Sequence, residues 1–401
     1  MYRRVIFSLL LSAACGASWM LPIHWVGPLL SLVFALLILF QRRGLDRYGV
    51  ALAYYAAGSQ GLLRGVAVFF GAHAPWWEGA FLWLGSATLL SLGWFFANRP
   101  WKVALVLLFD ALVPPLSLFD WLSPLSAAGL FYPGLGMAGI LLFLLLIAGL
   151  SRKPRLEAPF SLRLFLTDAA LFLALVANIG AWMFPSTSSP RLHGLHHWVG
   201  VSLHVGPAVP NVLTNQARHN AILRQTLAQS KGAKVVLLPE TLETAWAGNL
   251  WAIRQAIPKG QTWLMGMSVP RQVGILTDSI VELRRNRKPT DLFNSTFPVP
   301  VSMWHPWSRG TGYVDSQNVD YEAAWWTPAR KIAGMKVWAN ICYDQLLPFV
   351  WIEGALQSPQ VVLLTNNEWW AQGTGIPQIQ RNTAWVWGKL LGAPEIEAEN
   401  N

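Results

Sequence analysis

The sequence predicts a polytopic α-helical membrane domain followed by an α/β domain, and three observations support this prediction. Of the 401 residues, 53% are hydrophobic and only 12% are charged, whereas a soluble protein carries about 25% charged residues. The first 184 residues form a series of apolar stretches separated by short polar loops. From residue 198 onwards, short apolar runs alternate with helical patterns, which indicates strands alternating with helices.

Each apolar stretch of the first part is close to the roughly 20 residues that a helix needs to cross a bilayer. The sixth stretch contains Pro133 and Gly134 and is expected to be broken or kinked there. The predicted spans are residues 4–21, 22–40, 49–72, 79–97, 103–119, 125–150 and 163–184. We therefore predict a membrane domain of about seven transmembrane helices over residues 1–184.

Lysine and arginine occupy alternate loops of this domain. They precede the first span and lie between the second and third, the fourth and fifth, and the sixth and seventh spans. By the positive-inside rule, the N-terminus is cytoplasmic. Seven spans then place everything after residue 184 outside the cytoplasmic membrane, in the periplasm of a Gram-negative bacterium. The predicted location is the bacterial inner membrane.

Three charged residues fall inside the predicted spans, namely Arg64, Asp110 and Asp168. A charge inside a membrane is costly and is a candidate for a functional site. We favour a buried pair such as Arg64 with Asp110 that fixes helix packing, because nothing else in the spans indicates an ion path. No internal repeat is visible, which argues against a transporter or channel.

The first span has an alternative interpretation. Its basic start, its apolar run and Ala13-Ala14-Cys15-Gly16 resemble a bacterial lipoprotein signal peptide. However, Ser12 stands where such a signal has a large aliphatic residue, and cleavage would make the number of spans even. We interpret the segment as an uncleaved helix and Cys15 as a packing residue.

The second half begins after a predicted linker over residues 185–197, which are rich in serine and proline. An α/β domain is predicted over residues 198–392, and the polar residues 393–401 are predicted to be a disordered tail, which leaves one sheet edge incomplete. Strands are predicted at 199–205, 235–239, 262–269, 279–283, 335–341 and 361–365, and helices at 212–230, 346–357 and 376–391.

Two strand ends carry residues suited to catalysis. Cys342 follows a buried apolar run and precedes a polar turn, and Glu240 ends the run 234–239. A carboxylate within hydrogen-bond reach of a thiol can take its proton and produce a nucleophile for acyl transfer. The alternatives are a buried hydrophobic cysteine and a solvated carboxylate. Asn366 ends a third strand and either orients its neighbours or is a turn residue.

These motifs resemble the nitrilase superfamily, in particular the bacterial apolipoprotein N-acyltransferases. Leu238-Pro239-Glu240 is similar to the family's strand-Pro-Glu motif. Ile341-Cys342-Tyr343-Asp344 is similar to its Ile-Cys-Tyr-Glu motif, and Asn366-Asn367-Glu368-Trp369 to its Asn-Asp-Ala-Trp strand end. The stretch Pro298–Trp307 looks more like TraB, a plasmid-encoded conjugal transfer branch of the family.

The resemblance implies an αββα sandwich with Glu240 as general base and Cys342 as nucleophile. It also implies Tyr343, Asp344 and Asn366 as candidate oxyanion or support residues. The acyl donor would be a phospholipid or other lipid-like ester, and the acceptor an amine on a lipoprotein or a pilus or transfer protein, or water. No metal or cofactor is expected, because two cysteines give no zinc pattern. No nucleic acid is expected either, since the basic run 284–288 is better explained as a solvated hairpin or an anionic-lipid contact.

One departure from the family concerns its catalytic lysine. The matching region places Ser295 or a neighbour where the family has this lysine, and Lys288 lies a few residues upstream. Without the lysine, a reacting oxyanion would depend on backbone N–H groups such as that of Tyr343. The alternative hypothesis is therefore a catalytically degenerate scaffold in a conjugation apparatus.

Overall fold

The computed structural model describes residues 2–69, 76–149, 162–183, 190–208, 211–300, 302–304 and 320–401. The first half is helical in its described residues. Its α-helices are α1 Tyr2–Ala17, α2 Val26–Phe40, α3 Gly44–Gly58, α4 Leu62–Phe69, α5 Trp76–Ser91, α6 Pro100–Leu112, α7 Ala128–Phe131, α8 Gly136–Gly149 and α9 Leu162–Met183.

Among the described residues, one helix is both long and apolar enough to cross a membrane, Trp77–Phe96, which joins α5 to the 3-10 turn after it. A second candidate combines two helices, Pro124–Phe131 and Gly136–Gly149, that are bent by 111° at a short break. The break contains Pro133 and Gly134, so the predicted interruption of the sixth stretch is confirmed. The seven-span arrangement stays a prediction. Shorter apolar helices are Val26–Phe40 and Phe172–Met183.

The charges of the helical half are not arranged as predicted. Arg64 is exposed, and its Nη1 lies 3.4 Å from the point where a Cβ on Gly373 would stand. Asp110 is only 2% exposed and lies in the helical core, so the predicted pairing of Arg64 with Asp110 is wrong. Asp168 lies on α9, but its side chain is outside the described residues. Cys15 is buried, in agreement with a packing role.

The second half contains two β-sheets. The first sheet has the order β1-β3-β4-β5-β6, with β7 also paired to β5, and the second has the order β2-β11-β10-β9-β8. The strands are β1 Trp198–Gly200, β2 Ser202–Leu203, β3 Val235–Thr244, β4 Thr262–Gln272, β5 Ile275–Leu283, β6 Thr290–Asn294, β7 Asp320–Tyr321, β8 Arg330–Ile332, β9 Met335–Ile341, β10 Val361–Asn367 and β11 Glu395–Asn400.

The two sheets pack face to face, and helices cover both outer faces. Alternate residues of each strand enter different cores: Leu237 packs between the sheets, while Leu238 packs outwards. The outer face of the first sheet is covered by α10 Val212–Gln229 and α11 Ala247–Ala256. The outer face of the second is covered by α12 Pro348–Gln357 and α13 Ile376–Leu391. This αββα layering is the one that the resemblance implies, and it explains why the parallel strands appear as continuous apolar runs.

The predicted disordered tail is wrong, because residues 395–400 form β11 in the interior of the second sheet. β11 pairs in parallel with both β10 and β2, so the sheet edge expected to be incomplete is closed. The alternation of apolar and charged side chains explains why this segment is a strand. Ile396 and Ala398 pack between the sheets, and the intervening glutamates point the other way. The high charge of the segment conceals this period-2 pattern.

The predicted strand 199–205 is also divided between the two sheets. β1 belongs to the first sheet and β2 to the second. Gly200 permits the crossing, since a Cβ at this position would lie 1.7 Å from the carbonyl oxygen of Glu397 on β11. Of the predicted linker, residues 185–189 lie outside the described part, and Pro190–His197 form a 3-10 helix.

Helix α13 joins the sandwich to the helical half. The Asn382 side chain donates to the carbonyl oxygens of Trp19 and Leu21 at 2.8 and 2.9 Å. Gly129 of α7 approaches α13 so closely that a Cβ would lie 1.9 Å from the carbonyl oxygen of Val386. The helical half and the outer face of the second sheet consequently share one continuous hydrophobic core.

Candidate active site

Cys342 lies at the carboxyl end of β9, as the sequence predicts. Strand β9 ends at Ile341, and Cys342 begins a 3-10 helix that runs to Leu346. The φ angle of Cys342 is +48°, a left-handed conformation that costs a non-glycine residue on the order of 1–3 kcal/mol. The Gln380 Nε2 donates a 2.8 Å hydrogen bond to the Cys342 carbonyl oxygen, which helps to hold this strained turn.

Asn366 lies at the centre of the network beneath the turn. Its Oδ1 accepts hydrogen bonds from Gln345 Nε2 and Gln380 Nε2, each at 2.7 Å. Gln345 Nε2 also donates to the carbonyl oxygen of Asn340 on β9 at 3.1 Å. The strand end predicted to orient its neighbours therefore contacts the cysteine turn through two glutamines.

Glu240 is buried beside Cys342, within hydrogen-bond reach of its thiol. Its backbone is held from the second sheet: Asn367 Nδ2 donates to the Glu240 carbonyl oxygen at 3.2 Å. Asn400 Nδ2 of β11 donates in turn to Asn367 Oδ1 at 2.8 Å. The predicted strand ends at residue 239, but β3 continues to Thr244, so Glu240 lies within the strand. Strands β3 and β9, from different sheets, thus bring the predicted base and nucleophile together, and the C-terminal strand supports the base.

The electrostatics of the pair favour a neutral thiol at rest. Burial raises the pKa of Cys342 well above its usual value, and the nearby Glu240 carboxylate raises it further. Burial also raises the pKa of Glu240, while hydrogen bonds from its neighbours lower it. The arrangement is therefore suited to a general base that takes the thiol proton during attack, rather than to a preformed thiolate.

A third acidic residue, Asp278, was not singled out from the sequence. It lies on β5, is 1% exposed and is hydrogen-bonded to Glu240. Burial raises the pKa of Asp278 well above its usual value, and the Glu240 charge adds to this. In the sequence, Asp278 is visible only as a charged residue beside the run 279–283. Its position next to Glu240 follows from the alternation of side chains across a buried sheet, which the sequence alone does not show.

Ser295, which the sequence register places where the resembled family has its lysine, is buried near the site. Ser295 is 2% exposed, its N–H donates to the Asp278 carbonyl oxygen at 2.8 Å, and its hydroxyl bonds Asp344. Lys288 is exposed in the β5–β6 turn. Thr290, two residues after Lys288, pairs with Glu282, and Glu282 lies four positions, or about 13 Å, along β5 from Asp278. Lys288 thus lies away from Glu240 and Cys342.

Asp344 supports a loop over the site. Its carboxyl oxygens accept from the backbone N–H groups of Thr296 and Phe297 at 2.9 and 2.7 Å. Burial raises the pKa of Asp344 to about 8, and these hydrogen bonds oppose the shift. Because its oxygens already accept two backbone bonds, Asp344 is placed as a support residue and not as an oxyanion donor.

Tyr343 contacts the helical half. Its hydroxyl donates to the Leu118 carbonyl oxygen at 2.7 Å, so the side chain is occupied away from the nucleophile. Its backbone N–H lies in the first turn of the 3-10 helix, where N–H groups have no acceptor within the helix. The backbone of Tyr343, rather than its side chain, is thus available to an oxyanion.

Two cavities meet at Cys342, which is partly exposed between them. The first, of about 110 Å³, is almost entirely apolar and is bounded by both halves of the molecule. The second, of about 190 Å³, is more polar and includes Glu240, Thr241, Tyr321 and Asn367. Lining residues of the first include Leu62, Val66, Phe119, Trp121, Leu346 and Ile379.

Tryptophans lie around the two cavities: Trp370 borders both and Trp369 borders the second. Trp325 and Trp326 are exposed, and Trp304 packs on Trp325 with ring centroids 5.8 Å apart. Residues 305–307 lie outside the described residues. Within the described part of the chain, no group of three or more histidine, cysteine, aspartate and glutamate side chains could hold a metal ion.

The chain is similar over nearly its full length to two conjugal transfer proteins, which confirms the predicted resemblance to TraB. It is 28% identical to conjugal transfer protein TraB of Agrobacterium fabrum, over 99% of this chain and 93% of the relative. It is 27% identical to the probable conjugal transfer protein TraB of Sinorhizobium fredii, over 94% of this chain and 95% of the relative.

No protein-family profile matches the chain. Among solved structures, a carbon-nitrogen hydrolase from Helicobacter pylori G27 aligns with 50% of this chain and 72% of its own, at 15% identity and a TM-score of 0.33. A similarity at this level defines neither fold nor activity.

Proposed function

We propose that this protein is a TraB-like conjugal transfer membrane protein whose sandwich domain transfers acyl groups through a thioester on Cys342. The observation that carries the proposal is the position of Cys342. Its side chain lies beside Glu240 and opens into an apolar cavity that the helical half completes. A thiol, a base and an apolar cavity together suit an ester or thioester of a long-chain acid.

In the first half-reaction, Glu240 takes the thiol proton as Cys342 Sγ attacks the acyl carbonyl carbon. The C–S bond forms, the oxyanion is stabilised by the Tyr343 backbone N–H, and the bond to the alcohol breaks. Glu240 returns the proton to the leaving oxygen. A phospholipid donor would leave as a lysophospholipid, and the acyl chain would remain in the apolar cavity.

In the second half-reaction, an amine enters the more polar cavity and attacks the thioester carbonyl. Glu240 takes a proton from the amine nitrogen, the C–S bond breaks, and the sulfur recovers the proton. The products are an amide and the free thiol. No basic side chain is present among the described residues of this cavity, so its acidic and aromatic lining favours an amine over an anionic acceptor. A lipoprotein or a pilus or transfer protein would supply this amine, and water in its place would give hydrolysis.

The proposal includes the membrane arrangement derived from the sequence, with about seven spans, a cytoplasmic N-terminus and a periplasmic sandwich domain. The lysine and arginine distribution supports it. Alkaline phosphatase fused after Asn401 is expected to be active. A fluorescent cytoplasmic reporter at the same position would contradict this topology.

The second candidate is a catalytically degenerate scaffold in a conjugation apparatus. Two points support it: the sequence register that puts Ser295 at the position of the resembled family's lysine, and a Cys342 pKa that burial raises. A scaffold would keep the sandwich and its contact with the helical half but form no thioester. The two candidates therefore differ in whether the Cys342 sulfur forms a thioester.

The experiment uses p-nitrophenyl esters of increasing chain length with the detergent-solubilised protein. Acyl transfer predicts a burst of one p-nitrophenol per active site that is lost in Cys342→Ala. Val66 of α4 lines the apolar cavity, so Val66→Trp should slow long-chain esters at least tenfold and spare the acetyl ester. Leu63→Trp, on the exposed side of the same helix, is the matched control. A burst independent of Cys342 would refute the proposal.

A further inference from the structure

The Glu240 carboxyl is buried among acidic and neutral groups. The titratable groups that act on Glu240 or Asp278 are Cys342, Tyr321, Asp344 and Glu368. None of these groups is basic. Two carboxyl groups in contact, with no cation acting on either of them in the part of the chain that the structure describes, cannot both be ionised at low cost.

The backbone brings the two carboxyl groups together. Asp278 of β5 pairs with Ser268 of β4, and the register of β4 with β3 shifts between Leu238 and Glu243, so that Glu240 lies in a bulge. A Cβ at Gly266 of β4 would lie 2.4 Å from the Glu240 Cα. A glycine is therefore needed at this position of β4 to leave room for the bulge of β3. The contact is consequently built into three neighbouring strands.

We propose that Asp278 keeps its proton at neutral pH and donates it in a hydrogen bond to Glu240, as a positioning residue for the catalytic base. This inference rests on the proposed function and adds a residue to it. Asp278 then supplies to the Glu240 carboxylate a hydrogen-bond donor in addition to the Cys342 thiol, without adding a charge. The pair carries one proton and one negative charge at rest.

The proton balance fits the proposed chemistry. When Glu240 accepts the Cys342 proton, both carboxyl groups become neutral and the charge moves to the sulfur and then to the oxyanion. When the leaving oxygen takes that proton, the pair returns to one proton and one charge. Asp278 keeps its own proton throughout and does not touch the substrate. Its effect is to lower the pKa of Glu240 by hydrogen bonding to the ionised form, which opposes the larger rise that burial causes.

The test is the pH dependence of the p-nitrophenyl ester burst in wild type, Asp278→Ala and Asp278→Asn. Acylation rises with pH as Glu240 ionises. In Asp278→Ala the donor is lost, so the rising limb should move to higher pH by about one unit or more, which is about tenfold in rate at a fixed pH on the limb. In Asp278→Asn the amide donates in place of the acid, so the limb should stay near the wild-type position.

A purely structural role would lower the burst amplitude in both variants without moving the limb. The proposal is overturned if the limb stays in place in Asp278→Ala, or if Asp278→Asn shifts as far as Asp278→Ala. If wild type gives no Cys342-dependent burst, or if Glu240→Gln leaves the burst intact, the proposed function fails instead.

Infrared spectroscopy detects the proton on Asp278 directly and does not depend on enzyme activity. Wild type at pH 7 should show a protonated-carboxyl band that is missing in Asp278→Asn, provided that both variants unfold cooperatively at similar temperatures. The same experiment on Glu353→Asn, which removes a different buried carboxyl, is the control for assignment. Absence of any difference between wild type and Asp278→Asn would overturn the proposal.

Discussion

At the scale of single residues, the site depends on how a strained cysteine is held. Gln380 of α13 donates both to the Cys342 carbonyl oxygen and to Asn366 Oδ1. No other side chain described here donates to that carbonyl. The left-handed turn at Cys342 and the position of its sulfur are therefore linked to one amide on a helix that also contacts the helical half.

We predict that Gln380→Ala slows acylation of Cys342 at least tenfold. Loss of the two hydrogen bonds leaves the Cys342 carbonyl oxygen without its side-chain donor and Asn366 Oδ1 with Gln345 alone, so the free energy of unfolding should fall by about 1–3 kcal/mol. Burst kinetics and thermal unfolding measure the two effects. Gln378→Ala is the control, because Gln378 bonds Asn382 on the same helix and not the cysteine turn. Equal burst rates in both variants would show that Gln380 does not hold the nucleophile.

The sequence predicted some residues of the site and missed others, and the two outcomes have different physical reasons. Cys342, Glu240 and Asn366 each follow or end an apolar run of the sequence, and sites collect beyond the carboxyl ends of such strands in an α/β fold. Gln380 lies within an amphipathic helix and Asp278 within a strand, where polar residues have no distinguishing local pattern. Their roles come from contacts between distant elements, which spacing along one chain does not show.

At the scale of elements, β11 is a strand that the sequence analysis missed, because its charged residues made the segment resemble a disordered tail. It pairs on both sides and carries Asn400, which bonds Asn367 beside the catalytic base. The strands with continuous apolar runs were predicted within a few residues. The short or charged strands β6, β8 and β11 and helix α11 were not, because burial by neighbours, and not local propensity, makes them regular.

We predict that Ala398→Asp prevents stable folding. Ala398 is 1% exposed between the two sheets, and an unpaired carboxylate buried there costs several kcal/mol. Asn401→Asp, just after the end of the same strand, is the matched control and should unfold at a temperature close to wild type. Thermal unfolding and yield in detergent measure the difference. A tail without structure would tolerate both changes equally.

At the scale of the whole molecule, the helical half is part of the site. It forms much of the wall of the apolar cavity, and Leu118 accepts a hydrogen bond from the residue that follows the nucleophile. The shared core on α13 holds the two halves together. A sandwich domain expressed alone would lose that wall, so each assay should use the intact chain.

The buried carboxyl groups of the sandwich predict how stability changes with pH. Burial raises the pKa of Asp344 to about 8 and that of Glu353 and Glu368 to about 7. The folded state therefore binds protons more tightly than the unfolded state, so these groups favour folding most at low pH. Stability should fall as pH rises from about 5 to about 9.

Thermal unfolding in detergent across this pH range measures the slope. Glu353→Gln should make the decline shallower near pH 7, because one of the titrating groups is removed. The same change at the exposed Glu322 should leave the slope as in wild type. A midpoint that rises steadily with pH would contradict the predicted direction.

The most direct test of the central claim is detection of the acyl group on Cys342 itself. The purified protein would be incubated with phospholipid vesicles, digested, and examined by mass spectrometry for a hydroxylamine-sensitive adduct on the peptide containing Cys342. We predict a long-chain thioester in wild type that accumulates without an amine acceptor, disappears when an amine is added, and is missing in Glu240→Gln. An unmodified Cys342 with every phospholipid, ester and thioester donor would contradict acyl transfer and leave a nitrilase-like scaffold.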